Sequence, residues 1–166
     1  MCTGLKLACK DGSVVAGRTA EFGIDLDLRI LFVPAGTEAS ASLGDKSGMS
    51  WTTKHAAVGI GAFDNPSVID GFNEAGLTVA GFYFNHYAQY VPLSDADPAA
   101  SMNAIDFSGW ALGTCANIAE LREAVTTISS PISLFPAGAM APHPSTGSPT
   151  TSTAAPWLSN RAAASS

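Results

Sequence analysis

The stretch from Leu5 to Phe22 constrains this chain more than any other. Leu5-Lys6-Leu7-Ala8-Cys9 alternates as a strand does, Lys10-Asp11-Gly12-Ser13 supplies a tight turn, and Val14-Val15-Ala16-Gly17-Arg18-Thr19 runs back. A hairpin so close to the start holds the amino terminus in a sheet. It also returns Arg18 and Glu21 toward Cys2.

Cys2 stands directly behind Met1, and its side chain is small enough for the initiator to be removed. One residue would then carry both a thiol and a free α-amino group. Free α-amines titrate near ~7.7–8.0 and thiols near ~8.5, so such a residue can hold its own base and nucleophile at neutral pH. A Cys at position 2 is by itself more often a frayed terminal residue. The hairpin behind it is what gives this one a site.

Further strands follow. Leu28 to Val33 reads as a strand ended by Pro34, and residues 35–50, rich in Gly, Ser and Ala, read as a loop. Ala56 to Phe63 is a strand whose glycines imply close packing against other backbone. Phe72 to Gly76 is a turn, and Leu77 to Phe84 another strand. Successive strands of this kind suit one antiparallel sheet of a layered α+β fold. Helices come later: Ala104 to Cys115 carries apolar groups at helical spacing. Asn117, with Glu120 three residues on, caps a second helix running to Val125.

Composition narrows the function classes. A net charge of −6 argues against nucleic acid or an anionic membrane as partner, and no run approaches the ~20 apolar residues of a membrane span. No signal peptide is expected ahead of Cys2, so a cytoplasmic location is the default. The cysteines Cys2, Cys9 and Cys115 lack metal-ligand spacing, and Cys9 and Cys115 read as small buried hydrophobes. No cofactor is implied. His55 and His86 show no partner pattern.

Two motifs carry a resemblance. Cys2-Thr3-Gly4, Asp11-Gly12 and Gly17-Arg18-Thr19-Ala20-Glu21-Phe22 form the first, and Asp70-Gly71-Phe72-Asn73-Glu74-Ala75-Gly76-Leu77 through Gly81-Phe82-Tyr83-Phe84 the second. In this order and separation they resemble the choloylglycine hydrolase and penicillin V acylase family of N-terminal-nucleophile cysteine hydrolases. The resemblance implies an αββα sandwich, of which only the N-terminal part is present. It implies cleavage of a linear C–N amide bond in a small-molecule substrate, and full-length relatives that are homo-oligomeric. Cys2 would be the nucleophile, with Arg18 beside the amino terminus favouring thiolate. Glu21, where many members carry Asp, would orient the terminal amine. Tyr83 would lend its backbone N–H to the oxyanion hole, and its ring, with Phe82 and Phe84, would line an apolar acyl pocket. Tyr at position 83 resembles the penicillin-V-cleaving members. Conjugated bile salts and N-acyl-homoserine lactones are the alternative substrates.

The resemblance runs from Cys2 to about Met140, so residues 1–141 are expected to be the N-terminal part of the domain. From Ala137 onward the only formally charged residue is Arg161, and Pro142, Pro144, Pro149 and Pro156 punctuate a run of Ser, Thr and Ala. By composition, residues 142–166 form a low-complexity tail. Regrouping the codons allowed for Pro144 to Asn160 by one base permits Ile-His-Trp-Ile and then Val-Val-Ile-Glu, which the family resemblance places next. A one-base frame slip near Pro142, leaving a truncated enzyme, is therefore the expectation for the tail. The alternatives are a catalytically inactive fragment of such an enzyme and an unrelated small domain with a Ser/Thr/Pro linker.

Overall fold

The computed structural model describes residues 2–22, 25–62, 64–82, 90–128, 130–132 and 158–160. In chain order the strands are β1 (Gly4–Ala8), β2 (Val14–Arg18), β3 (Arg29–Val33), β4 (Glu38–Leu43), β5 (Lys46–Thr52), β6 (Ala57–Gly61), β7 (Asp70–Asn73), β8 (Leu77–Ala80), β9 (Ser101–Asn103), β10 (Ser130–Ile132) and β11 (Leu158–Asn160). The helices are α1 (Asp106–Thr114) and α2 (Ile118–Ala124).

The first hairpin forms as the alternation predicts. Gly4 pairs with Arg18 and Ala8 with Val14, and Gly12 turns the chain at a φ of +83° that suits Gly. The strands do not, however, join one sheet. The main antiparallel sheet has the order β11-β8-β7-β6-β3, whereas β1–β2 and β4–β5 are separate two-stranded sheets and β9 pairs in parallel with β10. Alternation along a strand tells which faces differ, and nothing in it tells which sheet the strand joins.

The expected loop at 35–50 is also corrected: it contains the β4–β5 hairpin, with Glu38 opposite Thr52 and Gly44 at positive φ in the turn. Ala41 and Leu43 point inward while Ser40 and Ser42 point out. Ser and Ala differ too little in size and polarity for this alternation to stand out in the sequence. Leu158–Asn160 adds a short strand to β8 from within the stretch whose composition predicts no element. The unpaired N–H and C=O groups along that edge of β8 are what it satisfies.

Register assigns each residue of the main sheet to a face. Leu31, Gly59, Gly71 and Val79 lie in one row, and Val33, Ala57, Asn73 and Leu77 in the next; these face the helices. Leu77, Val79, Trp110, Ala111, Leu112 and Leu121 form the centre of the core on this side. Asn117 caps α2 as predicted: its Oδ1 accepts from the N–H groups of Ala119 and Glu120 at 2.9 and 3.0 Å. Glu120 in turn accepts from the Ala116 N–H at 2.9 Å.

Asn73, in the second motif, is a buried clamp between sheet and helix. Its Nδ2 donates to the carbonyls of Leu112 and Cys115 at 2.8 and 2.7 Å, and its Oδ1 accepts the Leu77 N–H at 2.9 Å. Replacing it by Ala orphans two carbonyls and an N–H in the core. Asn73→Ala should therefore lower stability by ~3 kcal/mol or more in urea denaturation. A loss under ~1 kcal/mol would mean that water takes up these bonds.

The opposite face of the main sheet is apolar and open. Ile30, Ile60, Asp70 and Ala80 form one row there, and Phe32, Val58, Phe72 and Thr78 the next. Ile30 is 84% exposed and Phe32 69%. The β1–β2 hairpin lies over part of this face, around a cavity, and leaves the β3 end uncovered.

Candidate active site

The hairpin sets the geometry around Cys2, which is half-buried and unoxidised. Pairing continues one step past the strand ends, where the Thr19 N–H donates to the Thr3 carbonyl at 2.9 Å. The Thr19 hydroxyl accepts the Thr3 N–H at 3.1 Å and donates to Glu21 Oε1 at 3.2 Å. Glu21 is thereby tied to the same end of the hairpin as Cys2. Gly4 and Arg18 are direct partners and share one face of the hairpin, and Cys2 stands two residues before Gly4, just past the Thr3–Thr19 pairing. That face looks onto the main sheet.

Arg18 spans the gap. Its Nη2 donates to the Gly81 carbonyl, and its Nε, screened from solvent, lies 3.2 Å from Asp70 Oδ2. Nε makes no hydrogen bond there, so the attraction is ionic. Asp70 Oδ1 accepts the Gly81 N–H at 2.8 Å. The guanidinium also sits 4.9 Å from the centre of the Phe82 ring, within cation–π range. With side chains only 16% and 15% exposed, Arg18 and Asp70 are not the solvated strand-end charges their positions alone would suggest. Burial pushes the Asp70 carboxyl above the ordinary carboxylate range, against the Gly81 N–H and the Arg18 charge, which both pull it down.

Phe82 closes the assembly from below. A Cβ built on Gly4 would come 2.7 Å from its Cζ, so a larger residue at position 4 would have to displace the ring. Phe82 also lines the cavity between hairpin and sheet, about 380 Å3, whose walls include Val58, Ile60, Phe72 and Thr78. Arg18 and Asp70 stand at its polar edge. Of the site residues expected from the sequence, Cys2, Arg18, Glu21 and Phe82 converge on one end of the hairpin; Tyr83 and Phe84 lie outside the described residues.

Asp70 was not among the expected site residues. The signal was present: Gly17-Arg18 in the first motif and Asp70-Gly71 in the second set charges of opposite sign directly beside glycines. Cys9 is a correction, since it lies exposed at the hairpin tip where no layer covers it, whereas Cys115 is buried as expected. Among the described residues no His, Cys, Asp and Glu side chains group as metal ligands, and no helix is long and apolar enough to cross a membrane.

One sheet backed by helices, with a terminal hairpin over its other face, is the N-terminal part of the αββα sandwich of N-terminal-nucleophile hydrolases. Solved structures match it at that level. The C2A mutant of conjugated bile acid hydrolase from Clostridium perfringens has a TM-score of 0.65 at 32% identity, covering 77% of this chain and 38% of that one. Penicillin V acylase from Agrobacterium tumefaciens has a TM-score of 0.64 at 20% identity, covering 76% and 38%, a likeness of fold alone. The chain belongs to the linear amide C–N hydrolases of the choloylglycine hydrolase family, whose profile matches residues 2–133. A bile salt hydrolase/transferase of Clostridium perfringens (strain 13 / Type A) is 32% identical over 127 residues, 75% of this chain and 37% of that protein. A conjugated bile acid hydrolase of Lactobacillus acidophilus is 28% identical over 133 residues, 78% and 40%. The chain thus spans about two-fifths of the length of these curated relatives.

Proposed function

We propose that this chain carries the nucleophile end of a cysteine amidohydrolase site that cleaves linear C–N amide bonds, with Cys2 as nucleophile after removal of Met1. The observation that carries the reading is Arg18, its side chain only 16% exposed, held at the end of the hairpin that carries Cys2 and at the rim of an apolar cavity. Cys2 Sγ attacks the amide carbonyl carbon while the thiol proton passes to the residue's own α-amino group. The C–N bond then breaks, that proton leaves with the amine, and the acyl group remains as a thioester. Water adds to the thioester carbonyl, releasing the carboxylic acid and restoring the thiol. Glu21, bonded through Thr19, would orient the amine.

For the acyl group, Tyr83 and the apolar cavity favour phenoxyacetyl and similar aryl acyl groups, in the manner of a penicillin V acylase. A second reading, conjugated bile salts, is favoured by the names of the relatives at 28–32% identity.

Two measurements on the chain itself test this. Intact-mass analysis should find Met1 absent and the Cys2 amine free; a retained Met1 would block the base and end the catalytic reading. Activated esters of phenoxyacetic and cholic acid should acylate Cys2 ahead of the exposed Cys9, the phenoxyacetyl ester faster. Faster acylation by the cholyl ester would select the bile-salt reading, and equal labelling of Cys2 and Cys9 would sink both.

A further inference from the structure

The structure assigns Asp70 as the positioning residue for Arg18: its carboxylate anchors the guanidinium, and with it the hairpin that carries Cys2, to the end of β8. This rests on the reading of Cys2 as nucleophile given above. Asp70 is the one charged residue in the two outward rows of β3, β6, β7 and β8, otherwise formed by Ile30, Ile60, Phe32, Val58, Phe72, Thr78 and Ala80. A carboxylate among such neighbours loses hydration, and a side chain serving only the sheet would be apolar there.

Its partners say what it serves. One oxygen takes the Gly81 N–H at 2.8 Å; the other faces Arg18 Nε at 3.2 Å. Arg18 also donates to the Gly81 carbonyl, so carboxylate, guanidinium and the Gly81 peptide groups form one closed unit. Two elements that share no strand pairing are joined there, the β1–β2 hairpin and the β7–β8 pair. Gly81 also precedes Phe82, whose ring lies under both Arg18 and Gly4. Asp70 therefore reaches Cys2 only through Arg18 and touches no reacting atom.

The test is the ratio of alkylation rates at Cys2 for anionic iodoacetate over neutral iodoacetamide, read by peptide mass spectrometry on the full chain. Cys9 is the exposed reference and protection of Cys115 is the monitor of folding. Arg18→Gln should lower the ratio by about threefold at low ionic strength, the factor for unit charges ~7 Å apart on a wet surface, as diagonal strand neighbours are. Asp70→Asn should lower it by a similar factor although it removes a negative charge, and the double variant should fall no further than either. If Asp70→Asn raises the ratio or leaves it unchanged while Arg18→Gln lowers it, Asp70 is only a nearby charge and the proposal is overturned with the nucleophile reading intact. A ratio indifferent to Arg18→Gln overturns it as well. Cys2 reacting no faster than Cys9 with either reagent is a separate outcome, and it overturns the nucleophile reading. Should Asp70→Asn expose Cys115, Asp70→Glu takes its place. It keeps the charge and displaces the anchor by one methylene, so a lowered ratio supports positioning and an unchanged one overturns it.

Discussion

Amide turnover by the 166-residue chain should fall at least ~10²–10³-fold below that of a full-length relative such as the Clostridium perfringens bile salt hydrolase/transferase, although Cys2 should still react with thiol reagents. That factor is the usual cost of one missing oxyanion donor. On the proposed reading Cys2 draws on its own amine and the charge of Arg18, while the chain spans 37% of that relative's length. The cavity that Arg18 borders is walled by the hairpin on one side and the sheet on the other, and the sheet stays open toward β3, where Ile30 and Phe32 face water. Water at the site weakens every electrostatic contribution to the tetrahedral anion. Thiol labelling and amide turnover measured side by side on the two proteins decide the matter. Equal turnover would mean that this chain completes its site by itself.

Gly59→Val should unfold the chain or cost more than ~3 kcal/mol in urea denaturation. A Cβ at Gly59 would stand 2.1 Å from the Asp70 carbonyl oxygen, 2.5 Å from Val68 Cγ1 and 2.8 Å from Gly71 Cα. Two of the three obstacles are backbone, so no side-chain rotation relieves them. Gly17→Ala is the control, since the nearest atom there is Leu5 Cγ at 4.0 Å and the added methyl should change stability by less than ~1 kcal/mol. A Gly59→Val protein within ~1 kcal/mol of the parent would show that β6 and β7 can separate without loss of the sheet. The consequence reaches the site, because β7 begins with Asp70.

The glycines of β6 announced this crowding in the sequence, and the Asn117 and Glu120 pair announced the start of α2; both are local chemistry, written where it acts. The first hairpin was legible for the same reason, and with it the return of Arg18 and Glu21 toward Cys2. The β4–β5 hairpin escaped notice because Ala and Ser alternate with too little contrast. Cys9 read as buried because strand alternation marks a face without telling whether anything covers it.

By itself, then, the sequence determined the hairpin at the amino terminus, the residue at its start and the order of the two motifs, since each depends on neighbours a few residues apart. Tertiary structure alone decided that Arg18 is held between Asp70 and Phe82, that the Phe82 ring lies against Gly4, and that Asn73 clamps a helix to the sheet. Those contacts join residues tens of positions apart in the chain, and they exist only once the hairpin lies over one face of the sheet and the helices over the other. No periodicity records which face receives which layer, because that choice is made by the summed burial of both faces rather than by any one strand.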